Sequence, residues 1–468
     1  MTQTIQTDYL VVGAGAAGMS VVDELITHSD AEIVLVDRRH GPGGHWLDAY
    51  PFVRLHQPSA YYGVNSRSLG FDRIDDSGPN AGFYERASAA EICDYYRRVL
   101  DERFLASGRV TFLGMHEYDG VDSSDAGGHL LSPQLGGPPV RVHVRRRVID
   151  ATYVESIVPS RRPPEYRIDP GVSVLTPNQL VHHGGTGGDV VVIGAGKTAM
   201  DTCVWLLENA VDPGRIRWVR PRDGWFVDRT YTQPHDLVGS MMTYQAATIE
   251  VAAEVSTGLD FALAMEEREM MFRLDPAVEP VVYRGATLSR LELDQLRSIE
   301  QVVRMGRVRA VAPGRVYLDD GDIATGAEAV FVDCTAPGLA NSATQPIFDH
   351  DLIRIQLTTL GVSPWSAAMI GFVETLDLTD DQRNGLCPPI PRPGLISTHL
   401  DVLAIGLGVE PTRRANLDLT AWNAASRLCP GSSVAGREND PAVQAAFEVM
   451  LNSFGPALAN LASIASQR

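Results

Sequence analysis

Twice in this chain a short apolar run ends in a glycine-spaced turn: DYLVVGAGAAG at Asp8–Gly18 and VVVIGAGKTA at Val190–Ala199. The pair predicts an α/β protein with two Rossmann-like dinucleotide-binding domains, the second inserted into the first. A third observation adds a helical C-terminal region, because Pro441–Ile464 carries Ala, Leu and Phe at helical spacing.

In the first stretch Tyr9–Val12 reads as a buried strand, and Met19–Ile26 continues a small-residue helix. Gly13, Gly15 and Gly18 fit G-x-G-x-x-G. Gly13 serves the tight turn, Gly15 lets a pyrophosphate approach the backbone, and Gly18 lets helix and strand pack closely. The pyrophosphate would rest on amide donors at the helix N-terminus, beside Ala17. A second apolar run, Glu32–Val36, ends in Asp37, nineteen residues after Gly18, with Arg38 next. Asp37 is placed to accept from ribose hydroxyls.

The chain has 468 residues, 44% hydrophobic and 21% charged, which fits two or three globular domains. Its net charge of −18 argues against nucleic-acid or anionic-membrane surfaces, which call for positive fields. Apolar runs break well before membrane-spanning length. The early start of the first strand leaves no room for a targeting peptide, so a cytoplasmic setting is expected. Five scattered cysteines form no CxxC and predict neither a disulfide framework nor a redox dithiol. His182-His183 lacks companions at ligand spacing, so no metal site is expected.

GGHWLDAYPFVRL (Gly43–Leu55) is similar to the GG-x-W…YP…R segment of flavin-containing and Baeyer–Villiger monooxygenases. YYGVNSRSL resembles the flavin-containing monooxygenase segment in which an Asn-Ser pair places an asparagine by the flavin; here that pair is Asn65-Ser66. RPRDGWFVDR (Arg220–Arg229) resembles the Arg- and Trp-bearing run of the same family. The resemblance covers about the first half of the chain. It implies FAD on the first fingerprint, with Gly44, His45 and Trp46 wrapping it, and NADPH on the second. It also implies hydride transfer to flavin, reaction with dioxygen to a C4a-(hydro)peroxide, and oxygen transfer to a small-molecule substrate. Asn65 is the candidate beside the flavin ring, with His56 and Gln57 weaker candidates from the same loop.

In the second fingerprint Gly194, Gly196 and Ala199 fit G-x-G-x-x-A, followed by a helix over 200–209. Lys197 is the only lysine in the chain and, with Thr198, faces the expected pyrophosphate. The strand Ile216–Val219 ends in Arg220, with Arg222 two residues on and no carboxylate. An arginine there can pair with a 2′-phosphate, which favours NADPH over NADH. A Walker A reading of GKT fails, because that motif needs glycine where Val191 stands.

The remaining expectations are coarser. Helices are expected over 87–106, 233–274, 291–303 and 413–428, the last capped by Thr412, and Thr379 and Gln382 form a capping box. The methionines Met241, Met242, Met265, Met270 and Met271 read as core or as an adaptable pocket. Strands are expected over 110–116, 140–150, 308–318 and within 353–372. Pro159–Pro177 reads as a linker and Gly184–Gly188 as a flexible lead. His399 and Asp401 read as lying near an apolar strand. VIDATY (Val148–Tyr153) and AVFVDCTA (Ala329–Ala336) stand where the family has ATG motifs, and the latter looks like the return to the first domain. The resulting division is 1–158 for the first part of the FAD domain, 176–325 for the NADPH domain with a helical insert about 233–300, and 326–468 for the return and C-terminal region.

The Baeyer–Villiger signature F-x-G-x-x-x-H-x-x-x-[WF] is missing between Ala151 and Asp189. N- or S-oxygenation is therefore favoured. Two other readings stay open: an FAD-dependent dehydrogenase or oxidase, and a non-catalytic nucleotide-binding redox sensor. A homo-oligomer is also left open.

Overall fold

The computed structural model describes residues 3–125, 127–183, 188–340, 342–361, 363–392 and 394–467. Most of the Gly184–Gly188 lead lies outside the described residues, as do Met1 and Arg468, the outer bounds of the first and last expected divisions.

The first unit forms as its sequence predicts. Strand β1 (Gln3–Val12) feeds helix α1 (Ala16–His28), and β2 (Ile33–Asp37) returns parallel to β1 in the register Tyr9↔Ile33 to Val12↔Val36. Every residue of β2 is buried, as a strand covered on both faces requires. Helix α2 (Ala89–Val99) starts on a capping box in which Ser88 and Glu91 satisfy each other's amides. Strand β3 (Val110–Gly114) joins the edge next to β2. A hairpin, β4 (His116–Val121) and β5 (Gly128–Pro133), then leads to β6 (Val140–Asp150), parallel to β1 on its other side.

The expected linker contains short strands. Strand β7 (Ser156–Ile157) precedes β8 (Arg167–Ile168) and β9 (Val174–Leu175), and the turn α3 (Pro177–Leu180) follows. The second unit is β10 (Val190–Ile193), α4 (Lys197–Glu208) and β11 (Ile216–Val219), again parallel. Next come β12 (Gly224–Asp228), α5 (Val238–Ala252), α6 (Gly258–Glu267), β13 (Met271–Arg273), β14 (Val282–Leu288) and α7 (Arg290–Arg297). The expected helix over 291–303 stops at Arg297, and β15 (Val302–Val303) extends the second sheet at β11. The expected strand over 308–318 is a hairpin, β16 (Val308–Ala312) and β17 (Arg315–Leu318), continued by β18 (Gly321–Ala324).

Strand β19 (Val330–Asp333) pairs parallel with β10 in the register Val190↔Val330. It completes the second sheet, ordered β15-β11-β10-β19-β9, and is not the return to the first. After β20 (Gly338–Leu339), the return is made by β21 (Phe348–Asp349) and β22 (Leu352–Arg354). Strand β22 pairs with β6, giving the first sheet the order β21-β22-β6-β1-β2-β3.

The C-terminal region is helical: α8 (Ser363–Glu374), α9 (Asp380–Leu386), α10 (His399–Ala415), α11 (Leu417–Ala425) and α12 (Pro441–Ser466). The strands expected within 353–372 give way to α8, apart from the first residues. Helix α8 crosses α1 closely: a Cβ on Gly371 would stand 3.1 Å from Glu24 and 3.2 Å from Val21. The Thr379–Gln382 capping box forms as expected. Thr412 caps nothing, because α10 starts at His399 and carries Pro411 inside it; Asn416 instead caps α11. His399 and Asp401 therefore open a helix and do not lie at a strand end. The five methionines are at most 6% exposed, and Met265, Met270 and Met271 pack with α12 residues Ala457 and Leu461 as core. Among the described residues no helix is long and apolar enough to cross a membrane.

Candidate dinucleotide and active site

Both glycine turns stand at the C-terminal edges of their sheets, where α/β proteins bind nucleotides. Gly13 has φ +100°, and its amide donates to the Val36 carbonyl at 2.8 Å. A Cβ on Gly18 would stand 1.8 Å from the Gly13 oxygen, so only glycine fits. In the second unit Gly194 has φ +138° and a Cβ there would meet the Cys334 carbonyl at 3.2 Å, whereas Gly196 faces open space. The helix N-caps, Gly15 and Gly196, make no side-chain cap bond, and neither helix has an acidic residue in its first turn. Helices α2, α7, α9, α11 and α12, by contrast, are capped by side chains. Uncapped amides at these two turns fit the phosphates of a dinucleotide.

The loop after β2 folds over the first turn. Gly43 donates to the Ala14 carbonyl at 2.9 Å, and a Cβ on Gly44 would stand 2.9 Å from the Gly15 Cα. Trp46 donates to the Tyr62 hydroxyl at 2.6 Å, and its ring lies 4.7 Å from that of His45. Burial and the nearby Arg39 push the His45 imidazole down to about 4, so it is neutral at pH 7. Asp37 is 5% exposed and accepts from the amides of Ala14 and Arg39 at 2.7 Å each. It therefore holds the turn against the strand end, a role the ribose expectation missed. Arg38 is paired with Glu155.

The same loop reaches the second unit. The Tyr50 hydroxyl donates to Asp201 of α4 at 2.7 Å, and Phe52 stacks on Trp205 at 5.1 Å. Around Asp201 a charge cluster joins four parts of the chain. Lys197 pairs with Asp201 and lies 3.8 Å from Glu292 of α7. Arg229, fully buried, pairs with Glu292, and Arg86 approaches it at 3.5 Å. Three cations thus face two carboxylates in a largely buried seam. Burial opposes ionisation of Glu292, but Lys197, Arg229 and Arg86 outweigh it and hold the carboxyl down at about 2. Among the described residues the Nε atoms of Arg86 and Arg229 have no hydrogen-bond partner.

His56 lies beside this cluster. Its side chain is open to solvent. Desolvation by the surrounding protein, with the charges of Lys197, Arg86 and Arg229, pushes its imidazole down to about 4. Its carbonyl accepts from Thr287 at 2.8 Å. Gln57 is turned onto its own loop, donating to the Tyr61 carbonyl at 3.4 Å.

Three expected roles change. Asn65 donates to Glu24 at 2.6 Å and accepts from Ser426 at 2.8 Å. Ser66 donates to Asp23. The Asn-Ser pair therefore fastens the loop to the buried carboxylates Asp23 and Glu24 of α1. Arg220 is 3% exposed, pairs with Asp223 at 2.9 Å and lies 4.8 Å from the Trp218 ring centre. Its partner, a carboxylate three residues on, was the overlooked signal; Arg222 is the exposed arginine. Lys197 is committed to Asp201 and Glu292, so its phosphate role is also displaced. Thr198 stays in the first turn of α4.

Residues 11–64 match the family described as NAD(P)-binding Rossmann-like domain. The chain is 43% identical over 427 residues to Uncharacterized protein Rv2000 of Mycobacterium tuberculosis, covering 91% of this chain and 78% of that one. The same figures hold for Uncharacterized protein Mb2023 of Mycobacterium bovis. This chain belongs to their family. Its fold is shared with solved monooxygenase structures. The polycyclic ketone monooxygenase of the thermophilic fungus Thermothelomyces thermophila superposes with a TM-score of 0.54 at 12% identity, over 98% of this chain and 86% of that one. The NADP+-bound cyclohexanone monooxygenase of Rhodococcus sp. Phi1 does so with a TM-score of 0.51 at 14% identity, over 80% and 84%.

The buried groups predict acid lability. His399, 5% exposed between the rings of Phe261 and Tyr283, is pushed down by burial to about 4. Its unfolded form takes a proton near pH 6.5 and its folded form only near 4, so stability is lost as pH falls through that window. Glu292, depressed to about 2, withdraws its contribution below pH 4.5. The urea midpoint is expected to fall between pH 7 and 4, and less steeply in His399→Gln.

Proposed function

We propose that this protein is an FAD- and NADPH-dependent monooxygenase that oxygenates a small-molecule substrate. The observation that carries the reading is the loop Gly43–Tyr62. It covers the first glycine turn at Gly15 and also grips the helix of the second turn through Tyr50–Asp201 and Phe52–Trp205. Two nucleotide sites joined by one loop suit a reaction that passes electrons from one cofactor to the other.

FAD would be held at Gly13–Gly18 and covered by Gly43, Gly44 and Trp46; NADPH would be held at Gly194–Gly196, with Arg222 at its 2′-phosphate. When bound, FAD supplies the redox chemistry, taking hydride from NADPH and handing one oxygen atom of dioxygen to the substrate as the other leaves as water. The protein's own part is positioning and electrostatics. The net positive seam of Lys197, Arg86 and Arg229 against Asp201 and Glu292 stabilises negative charge nearby. His56, neutral at pH 7, can donate one hydrogen bond without adding charge. The missing Baeyer–Villiger signature favours N- or S-oxygenation.

The test is coupling. NADPH consumption in air should yield oxygenated product from an amine or thioether with little hydrogen peroxide. Peroxide in amounts equal to the NADPH consumed, with every amine and thioether tried, would point to an oxidase. Arg222→Gln should raise the KM for NADPH about tenfold, the loss of one charge-assisted contact, and leave NADH unchanged. An equal effect on both would remove Arg222 from the phosphate.

A further inference from the structure

A second basic feature stands apart from the seam. Arg284 on β14 and Arg392 in the segment before α10 both donate to the Pro337 carbonyl, the former at 3.5 Å. Backbone bonds fix this meeting: Val282 bridges Leu395, and the Tyr283 amide donates to the Gly394 carbonyl at 3.1 Å. Most arginines of this acidic chain are paired with carboxylates, yet neither Arg284 nor Arg392 is ion-paired among the described residues. The charges that act on Arg284 are those of Arg392 and Arg222, and with burial they push its guanidinium below the ordinary value. Like charges held together without a counterion are unfavourable, and an anion placed between them removes that repulsion.

The position narrows the occupant. Pro337 lies four residues past β19, the strand that borders β10 on the side away from β11. Arg392 also lines a small cleft with Leu339 and Ile390, in which Ser342 donates to the Tyr153 carbonyl and Gln356 bonds both backbone groups of Gln345. We propose that Arg284 and Arg392 bind the acidic group of the substrate, a carboxylate or phosphate, beside this cleft. The substrate assignment rests on the monooxygenase reading; the anion site does not.

The experiment titrates the purified protein with inorganic phosphate at constant ionic strength and reads the melting temperature, in wild type, Arg284→Gln, Arg392→Gln and the charge-retaining Arg284→Lys. Phosphate should raise the melting temperature of wild type, with the midpoint shifted about tenfold or more in either glutamine variant and less in Arg284→Lys. The same variants should leave the KM values for NADPH and NADH in their wild-type ratio. A phosphate response identical in wild type and the glutamine variants would overturn the site. A loss confined to NADPH would move the anion to the cofactor and overturn the substrate assignment. Because phosphate protection is read without turnover, it stands or falls separately from flavin reduction.

Discussion

Glu292→Ala should destabilise the protein by ~3–5 kcal/mol, the range found when one partner of a buried ion pair is removed. Glu292 is 3% exposed and is the shared anion for Arg229, Arg86 and Lys197. Its loss leaves three buried cations facing Asp201 alone. The residue also closes the capping box of α7 with Ser289, which adds about 1 kcal/mol. Glu91 provides the control, since it closes the same box on α2 with an exposed carboxylate. Denaturant midpoints should show Glu292→Ala costing several times more than Glu91→Ala. Equal losses would mean that capping alone explains Glu292 and that the seam has no electrostatic role. Because the seam joins the two units, the variant should also lose NADPH-driven turnover at temperatures where it is still folded.

Gly18→Ala should abolish nucleotide binding at the first turn and lower stability by more than the ~1–3 kcal/mol usual for overpacking. The added methyl would overlap the Gly13 carbonyl, a backbone atom that moves only if the whole turn moves. Gly41→Ala is the matching control, with nothing within 4 Å of its Cβ. Flavin content of the purified variants and their melting temperatures decide the point. A Gly18→Ala protein that keeps its flavin and its stability would show that the turn is looser than its geometry implies.

Both fingerprints were legible because each combines a buried strand, glycine spacing and a small-residue helix. The capping box at Thr379 was legible for the same reason: local spacing determines it. Helix α8 was not, because every residue from Pro364 to Glu374 is buried, and an all-buried helix shows no amphipathic period to separate it from strands. Pro411 misled for a related reason. A proline often marks a helix start, but here the helix runs on to Ala415 and buries Arg413, whose guanidinium donates to the Leu386 carbonyl at 3.0 Å.

Ala329–Ala336 was read as the return to the first domain, but β19 there pairs with β10, and pairing is a long-range property. The site shows the same divide. The two glycine turns and the loop over the first are set by local spacing and form as read, as turns. Asn65, Arg220 and Lys197 were misplaced because each is claimed by a carboxylate: Glu24, Asp223 and Asp201. The arginines around Pro337 come from distant segments, and no spacing rule connects them.

The most direct test of the central claim is an anaerobic titration of the purified protein with NADPH, followed in the visible spectrum. Two sites joined by one loop predict that bound flavin bleaches on adding one equivalent of NADPH and recovers its colour when air is admitted. A flavin that binds but stays oxidised under excess NADPH would contradict the account.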